Sequence, residues 1–595
     1  MNKIKPKIIE LHTDANGVSD IKQLEIIFST NNRIIVEAPA GYGKTKTLIS
    51  KIAYLIASNQ IPNPKKILTL TFSVNAAYKI KRDIAENLPE IFKDSHSSPT
   101  FLKNKVFATN FHGFCRRILQ LYGYLISPIL KDIENIQGMD DSYYYIKNLR
   151  IGISRSDKQK ISTLNEKVKE ADENYINSNY DYYLEIVKKN FLPQGLIPFN
   201  AILLFVISLF ERYPDILKFY RTYFPIIIID EYQDTNVLSN IILQKLIGES
   251  TKLIFMGDPL QRIYGFIGAI PNIMSISELE YDMVPIILET NHRFSNNPNM
   301  LKLDRNIREN SKNILKPDIK DVANIKLIEA PDQEEESLKI LNTVKQVLRD
   351  NPGDKIAILV RQGINNKNTI KILKTFDGSI NYFNALFSDE DEDYISFHQY
   401  ALQEFIKILR IKKGRFNRSL SHKFEKKINN RYKKTSKPVY LSLLKLLESF
   451  LKLVFEEYKF LSYDEKIEFI KDTLENKALK QFMEYIESDV IIATIHGAKG
   501  LEWDYVIVGD LEKDSFPTWI GICKNCKFNG DCKISWDKVS EKFLISFHEE
   551  LSVFYVASTR SKKEVIYSYS SRKITDHKTK KSCFLELEGI NLIPL

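Results

Sequence analysis

The chain has 595 residues and a mass of 69.2 kDa, room for roughly three to five domains or subdomains. Hydrophobic residues make up 44% and charged residues 27%, so large cores can form and wholesale disorder is excluded. Lys plus Arg total 85 against 75 Asp plus Glu, and this net +10 favours an anionic partner, while five cysteines in such a length exclude a disulfide-built scaffold.

In chain order, residues 1–10 are charged and lack the apolar core of a signal peptide. Ile34-Ile35-Val36-Glu37 is a β-branched run that predicts a strand; Ala38-Pro39-Ala40-Gly41-Tyr42-Gly43-Lys44-Thr45 follows, then a helical pattern over 47–58. Strand, glycine-containing loop, Lys-Thr and helix is the order a phosphate cradle needs. Small residues let backbone N–H groups face phosphates, and the helix N-terminus adds its positive dipole. Lys44 is placed to reach the β- and γ-phosphates of ATP, and the Thr45 hydroxyl to bind Mg²⁺. The first loop position is Ala38 where the usual pattern has Gly, and a plain strand-to-helix turn is the alternative reading.

The longest apolar stretch, residues 201–210, is about half of the roughly 20 residues a membrane span needs, so a soluble cytoplasmic protein without a membrane partner is expected. Pro225 opens the run Ile226-Ile227-Ile228-Ile229, the pattern of a strand buried on both faces of a parallel sheet. It ends in Asp230-Glu231-Tyr232-Gln233-Asp234-Thr235-Asn236, and the carboxyl end of such a strand is where α/β sheets bind ligands. Asp230 is assigned to Mg²⁺ and Glu231 to orienting and deprotonating the attacking water. Read singly, the two are a helix cap and a first-turn acid. Together with Gly-Lys-Thr they specify a nucleotide hydrolase.

Residues 410–437 hold 12 Lys or Arg and one acid, Glu425. The segment reads either as a duplex-binding face or as a solvated basic loop. Cys523, Cys526 and Cys532 form C-x2-C-x5-C, the spacing of a Zn²⁺ or iron–sulfur site whose fourth ligand is Cys583, His548 or Cys115. Free reduced thiols are the alternative.

The Asp230–Asn236 segment resembles the Walker B motif of the UvrD/Rep/PcrA group of superfamily 1 DNA helicases, and further segments resemble its other motifs in the same order. Thr71-Phe72-Ser73-Val74-Asn75-Ala76-Ala77 is similar to motif Ia and Phe111-His112-Gly113-Phe114 to motif Ib. Gly257-Asp258-Pro259-Leu260-Gln261-Arg262-Ile263-Tyr264-Gly265-Phe266 is similar to motif III, and Asn291-His292-Arg293 to motif IV, followed by the strand 356–361. Thr494-Ile495-His496-Gly497-Ala498-Lys499-Gly500-Leu501-Glu502-Trp503 is similar to motif V, and residues 554–563, around Arg560, to motif VI. The resemblance covers about residues 20–570.

It implies an α/β fold of two RecA-like P-loop motor domains with parallel sheets, each interrupted by a mostly helical insertion. The first domain (1A) is expected at 1–115 and 201–285 around an insertion (1B) at 116–200. The second (2A) is expected at 286–385 and 487–575 around a short basic insertion (2B-like) at 386–486, with a tail at 576–595. It implies an ATP-dependent translocase and helicase on single-stranded DNA and on junctions with duplex, of 3′ to 5′ polarity. Gln23 is implied to read adenine, Gln261 to sense the γ-phosphate, Arg293 and Arg560 to act as arginine fingers across the cleft, and Glu502 to contact ribose. Phe72, His112, Tyr264, Phe266, Thr494 and His496 are implied to face DNA. His292 stands where the family has a base-stacking tyrosine, and Ile267 where it has an arginine. The chain has 32 residues after motif VI, so any nuclease activity is expected from a partner protein. The rival functional classes are a helicase-like regulatory subunit of a nuclease in an anti-phage defence complex, and a DNA-binding protein with a dead ATP site.

Overall fold

The β-branched runs pair as parallel strands in the computed structural model, which describes residues 3–93, 98–149, 152–314, 316–362, 372, 375, 380–388, 391–412, 414–435, 437–524, 526, 541–572 and 578–595. Two units result: Met1–Pro259 with Tyr264–Thr290, and Leu260–Ile263 with Asn291–Leu595.

In the first unit the strands are β1 (Arg33–Glu37), β2 (Ile67–Thr71), β3 (Val106–Asn110), β4 (Gln137–Met139), β5 (Leu196–Pro198), β6 (Ile226–Ile229), β7 (Lys252–Gly257) and β8 (Val284–Ile287). Six form one sheet in the order β3-β2-β6-β7-β1-β8, every pair parallel. The pleat explains the isoleucine runs. Ile226 and Ile228 enter the apolar layer under the helices Lys44–Ala57 and Val74–Ile91. Ile227 and Ile229 enter the opposite layer, against Phe111–Tyr122 and Phe199–Arg212. A strand with both faces buried can be apolar at every position.

The segment between β3 and β6 is mainly helical, with the helices Arg155–Lys169 and Glu173–Ile186, and a small ribbon pairs β4 with β5. Its apolar side chains, among them Ile146, Ile161, Leu164 and Phe191, belong to the same core as Ile227 and Phe255 of the sheet. Tyr183 is buried there and donates to Asp141 Oδ2 at 2.6 Å. Asn200 Nδ2 also donates to Asp141, and burial pushes this carboxyl up to about 7.

The second unit carries β9 (Ala323–Ala330), β10 (Ile356–Val360), β11 (Tyr382–Asn384), β12 (Val490–Thr494), β13 (Trp503–Val508), β14 (Ser561–Ser570) and β15 (Ile590–Pro594). All are parallel, in the order β11-β12-β10-β13-β14-β9-β15. β15 corrects the expected C-terminal tail: residues 590–594 are the seventh strand, registered along β9 from Ile590 opposite Ala323 to Pro594 opposite Leu327. Between β10 and β12 come the helices Glu392–Ile411, Arg418–Tyr432, Pro438–Glu456 and Tyr463–Glu475. Buried aromatics pack them, Phe405 against Phe416 and Phe424, and Phe450 against Phe469. No described helix is long and apolar enough to cross a membrane.

Candidate active site

In the first unit β1 feeds the loop 38–43, and the helix Lys44–Ala57 begins directly after it. Gly41 and Gly43 have φ of +87° and +80°, a backbone that only glycine adopts freely, and they turn the loop back over the helix N-terminus. Ala38 N–H donates to Gly257 O at 2.8 Å, so the loop's first residue is still sheet and needs no glycine. The helix starts at Lys44, three residues before the predicted start, because Gly43 serves as its cap.

Lys44 meets both acids that follow β6. Its Nζ lies 2.9 Å from Asp230 Oδ1 and donates to Glu231 Oε1. Burial disfavours the ammonium, but the charges of Asp230 and Glu231 outweigh it and hold the Lys44 pKa above its ordinary value. The Asp230 carboxyl is raised, by burial first, against the pull of Lys44. Thr45 is exposed in the first turn of the helix. Its hydroxyl and the Asp230 carboxylate are hard oxygen donors of the kind Mg²⁺ takes, so the residues present fit the ion.

Glu231 is not the first-turn acid that a single-residue reading gives. It has φ +57°, the left-handed region, just before the 3₁₀ turn Tyr232–Asp234. Such a conformation in a residue other than glycine persists only where its surroundings enforce it. Gln233 does so: its Nε2 donates to Glu231 Oε2 at 2.6 Å, and its Oε1 accepts from Asp258 N–H at 3.0 Å. A Cβ on Gly257 would lie 2.5 Å from that same oxygen, so the close approach needs glycine. The buried contact of Gln233 with Asp258, 25 residues on, leaves no mark in local sequence.

Gln23 is only 1% exposed. Its Nε2 donates to Tyr42 O at 3.1 Å and its Oε1 meets His12 Nδ1, so both ends of the amide are engaged beneath the loop. Phe72 and Tyr264 stack at 5.4 Å between ring centroids, with Phe266 beside Tyr264 and 64% exposed. His112 is separate from this trio in its contacts: it packs edge-on against Phe199, and burial holds its pKa down to about 4. It is a neutral ring, not a phosphate-binding cation.

In the second unit Arg293 donates to Glu502 and, at 2.6 Å, to Thr559 O. Arg560 is 3% exposed and donates to Val556 O at 3.1 Å and Gln261 Oε1 at 3.4 Å. Gln261 O accepts from Lys499 Nζ at 2.7 Å, and Arg262 pairs with Glu549 at 2.9 Å. These contacts explain why Leu260–Ile263 group with the second unit, where sequence reasoning gave the whole of 201–285 to the first. A buried network holds the motif IV turn: Asn291 Nδ2 donates to Asp304, which accepts from the Tyr555 hydroxyl, itself an acceptor from Arg308. Thr494 Oγ1 caps the following turn by accepting from Gly497 N–H at 3.2 Å. His496 is held down to about 3, by burial and then by the charges of Arg361 and Lys499. His292 is exposed.

The cysteine expectation gains no support. Cys532 lies outside the described residues. Cys523 accepts from Asp514 N–H and donates to Pro517 O, and burial pushes its thiol up to about 12. Cys115 is buried in the apolar core of the first unit. Among the described residues no group of three His, Cys, Asp or Glu could hold a metal ion. Of the basic segment, Arg418–Tyr432 is a helix with Phe424, Ile428 and Tyr432 buried and Lys423, Lys426 and Arg431 exposed. Arg418 pairs with Glu456 at 2.5 Å and Lys437 with Asp393 at 2.7 Å.

The sequence matches the family model described as UvrD/REP helicase N-terminal domain over residues 20–282, and that described as UvrD-like helicase C-terminal domain over residues 380–572. It is 26% identical over 639 residues to a probable DNA helicase II homolog of Rickettsia conorii, with 93% of each chain covered. It is 29% identical over 294 residues to the ATP-dependent DNA helicase PcrA of Staphylococcus epidermidis, covering 46% of this chain and 38% of that one.

Proposed function

The chain belongs to the UvrD/Rep family and is an ATP-dependent DNA helicase, and on that premise we propose that it translocates 3′ to 5′ along single-stranded DNA and unwinds duplex ahead of it. The observation that carries the proposal is the convergence of Lys44, Asp230 and Glu231, with Glu231 clamped by Gln233. The loop 38–43 receives the phosphates on its backbone N–H groups. Lys44 turns from the two carboxylates to the β- and γ-phosphate oxygens, which frees Glu231 to hold a water. Thr45 and Asp230 would hold Mg²⁺, which would supply charge neutralisation to the phosphates. Glu231 takes the proton as the water oxygen bonds to the γ-phosphorus, and the bond to the β-bridging oxygen breaks to leave ADP and phosphate. Arg293 and Arg560 neutralise the charge on the transferred group, and Gln261 senses its departure. Glu502 exchanges Arg293 for the ribose.

Phe72, Tyr264 and Phe266 give the DNA track of the first unit. Stacking on aromatics tolerates any base, as stepping along arbitrary sequence demands. Thr494 and His496 contribute in the second unit, and the basic face of the helix Arg418–Tyr432 meets phosphates of the duplex at a junction.

The test is ATP hydrolysis with and without single-stranded DNA, followed by strand displacement on duplexes with a 3′ or a 5′ single-stranded tail. DNA-stimulated hydrolysis, lost in Glu231→Gln, and displacement from the 3′-tailed substrate alone are expected. Displacement from the 5′ tail overturns the polarity. Hydrolysis that ignores DNA overturns the motor in favour of a regulatory subunit.

A further inference from the structure

The turn that carries Tyr264 and Phe266 is closed on itself. Tyr264 O accepts from Ile267 N–H at 3.1 Å and from Ala269 N–H at 3.3 Å, and Gly265 O accepts from Gly268 N–H at 3.0 Å. At its crest Phe266 and Ile267 are exposed. Hydrophobic burial does not fix a ring that stands in water, so the turn has to be held from behind. On one side Ile270 N–H donates to Thr235 O at 3.0 Å and Ala269 bridges to Asn236, which ties the turn to the segment that follows Asp230 and Glu231.

On the other side stands the helical insertion. Gly268, with φ +96°, lies against the last turn of the helix Arg155–Lys169. A Cβ at 268 would sit 2.9 Å from Lys169 Cα and 3.1 Å from Val168 O. The contact is therefore backbone against backbone, and it requires glycine twice, for the left-handed conformation and for the missing side chain. Val168 is itself buried in the core that the insertion shares with Ile227 and Phe255 of the sheet, so the helix end cannot retreat without opening that core. The lysines of this helix end pair along their own segment, Lys169 with Glu166 and Lys167 with Glu170 and Asp172.

We infer that the end of the insertion helix, Val168 and Lys169, is the seat of the aromatic turn, and that Gly268 is a positioning residue for single-stranded DNA because it lets the turn close onto that seat. The seat fixes where the rings of Tyr264 and Phe266 stand. A side chain added at 268 has to be relieved by the turn, since the helix end is anchored in the core, and the rings move with it. The inference rests on Tyr264 and Phe266 forming the DNA track.

The experiment measures the Kd of the full chain for single-stranded DNA by fluorescence anisotropy in Gly268→Asn, Gly268→Ala, Tyr264→Ala and the double variant of Gly268→Asn with Tyr264→Ala. Asparagine tolerates the left-handed backbone better than alanine, so it adds the Cβ with little other strain. Displacing the rings forfeits part of a base stack, and Gly268→Asn is expected to raise Kd about 3- to 10-fold. In the double variant the rise is expected to fall short of the product of the two single rises, because both changes act on the same rings. A rise equal to that product overturns the seat, since Gly268 then acts apart from the aromatics. An unmoved Kd in Gly268→Asn overturns it too, even where Gly268→Ala weakens binding, because only the handedness of the backbone then matters. If Gly268→Asn does not fold, Ala171→Val takes its place: Ala171 has φ +55° just past the helix end, where a β-branched residue distorts the seat from the insertion side. The same rise and the same shortfall with Tyr264→Ala are expected of it, and an unmoved Kd or a full product overturns the seat. If Tyr264→Ala and Phe266→Ala both leave Kd unmoved, the DNA-track reading falls and the seat with it. If they weaken binding while Gly268→Asn does not, only the seat falls.

Discussion

Ranked by chain order, the strands of the first sheet run third, second, fourth, fifth, first, sixth; those of the second run the same way once the edge strand β11 is set aside. The same connectivity has opposite electrostatics at the same place. After the first strand of the first unit comes a glycine loop and a helix opening on Lys44 and Thr45. After the first strand of the second unit comes a helix capped by Asp332, with Glu334, Glu335 and Glu336 in its first turn. After the fourth strand both units place acids, Asp230 and Glu231 in one, Asp510 and Glu512 in the other. In the first unit a lysine from the neighbouring helix binds the pair; in the second Glu336 joins them, buried and hydrogen-bonded by Ser568. One site attracts a polyanion and the other repels it. On the proposed reading, nucleotide chemistry belongs to a loop and a helix start, not to the sheet that carries them.

The sharpest challenge to this contrast is Arg293→Ala. If the second unit serves the reaction with its arginines although its own pocket is acidic, steady-state hydrolysis falls by about 10³–10⁵; an undiminished rate would confine the chemistry to the first unit. Glu231→Gln is expected to lower kcat by about 10²–10⁴ while nucleotide affinity, read by equilibrium titration, is retained. Tyr264→Ala removes one stacking face and weakens single-stranded DNA binding by about 1–3 kcal/mol, seen as a rise in Kd by fluorescence anisotropy with basal hydrolysis unchanged. The smallest effect is on stability. Burial first, then the charges of Glu512 and Asp510, hold the Glu336 carboxyl well above its ordinary 4.5, so the folded state keeps a proton that the unfolded chain releases. That contribution is full below the unfolded pKa and fades as pH rises toward the folded one. Glu336→Gln is expected to gain on the parent protein by about 1 kcal/mol or more on going from pH 5 to pH 8, measured by denaturant unfolding; equal curves at both pH values would show that the cluster carries no shared proton.

The phosphate loop and the acidic strand end were legible in the sequence because each demands particular residue types at fixed spacing, as Gly41, Gly43, Lys44 and Asp230 show. The isoleucine run before Asp230 announced a central strand because four consecutive β-branched residues suit a short strand buried on both faces. What stayed hidden depends on pairs far apart in the chain. His12 meets Ser50 38 residues on, and Gln233 reaches Asp258 across a turn. Glu336 is fully buried while Glu334 and Glu335 are exposed, a difference that three identical residues in a row do not announce. β15 escaped because an edge strand of five residues, three of them exposed, has neither the length nor the alternation that marks a strand.

The helical segment between β3 and β6 looks detachable in sequence, an interruption of a sheet that closes without it. Its side chains nonetheless share one apolar core with the sheet face, from Ile161 and Phe191 to Ile227 and Phe255. To swing as an independent arm it would have to open that core to water, at a free energy comparable to local unfolding. In mechanical terms it is a stiff extension of the first sheet. Load applied to it passes through that core to β1 and β6, the strands that lead into the loop before Lys44 and into Glu231.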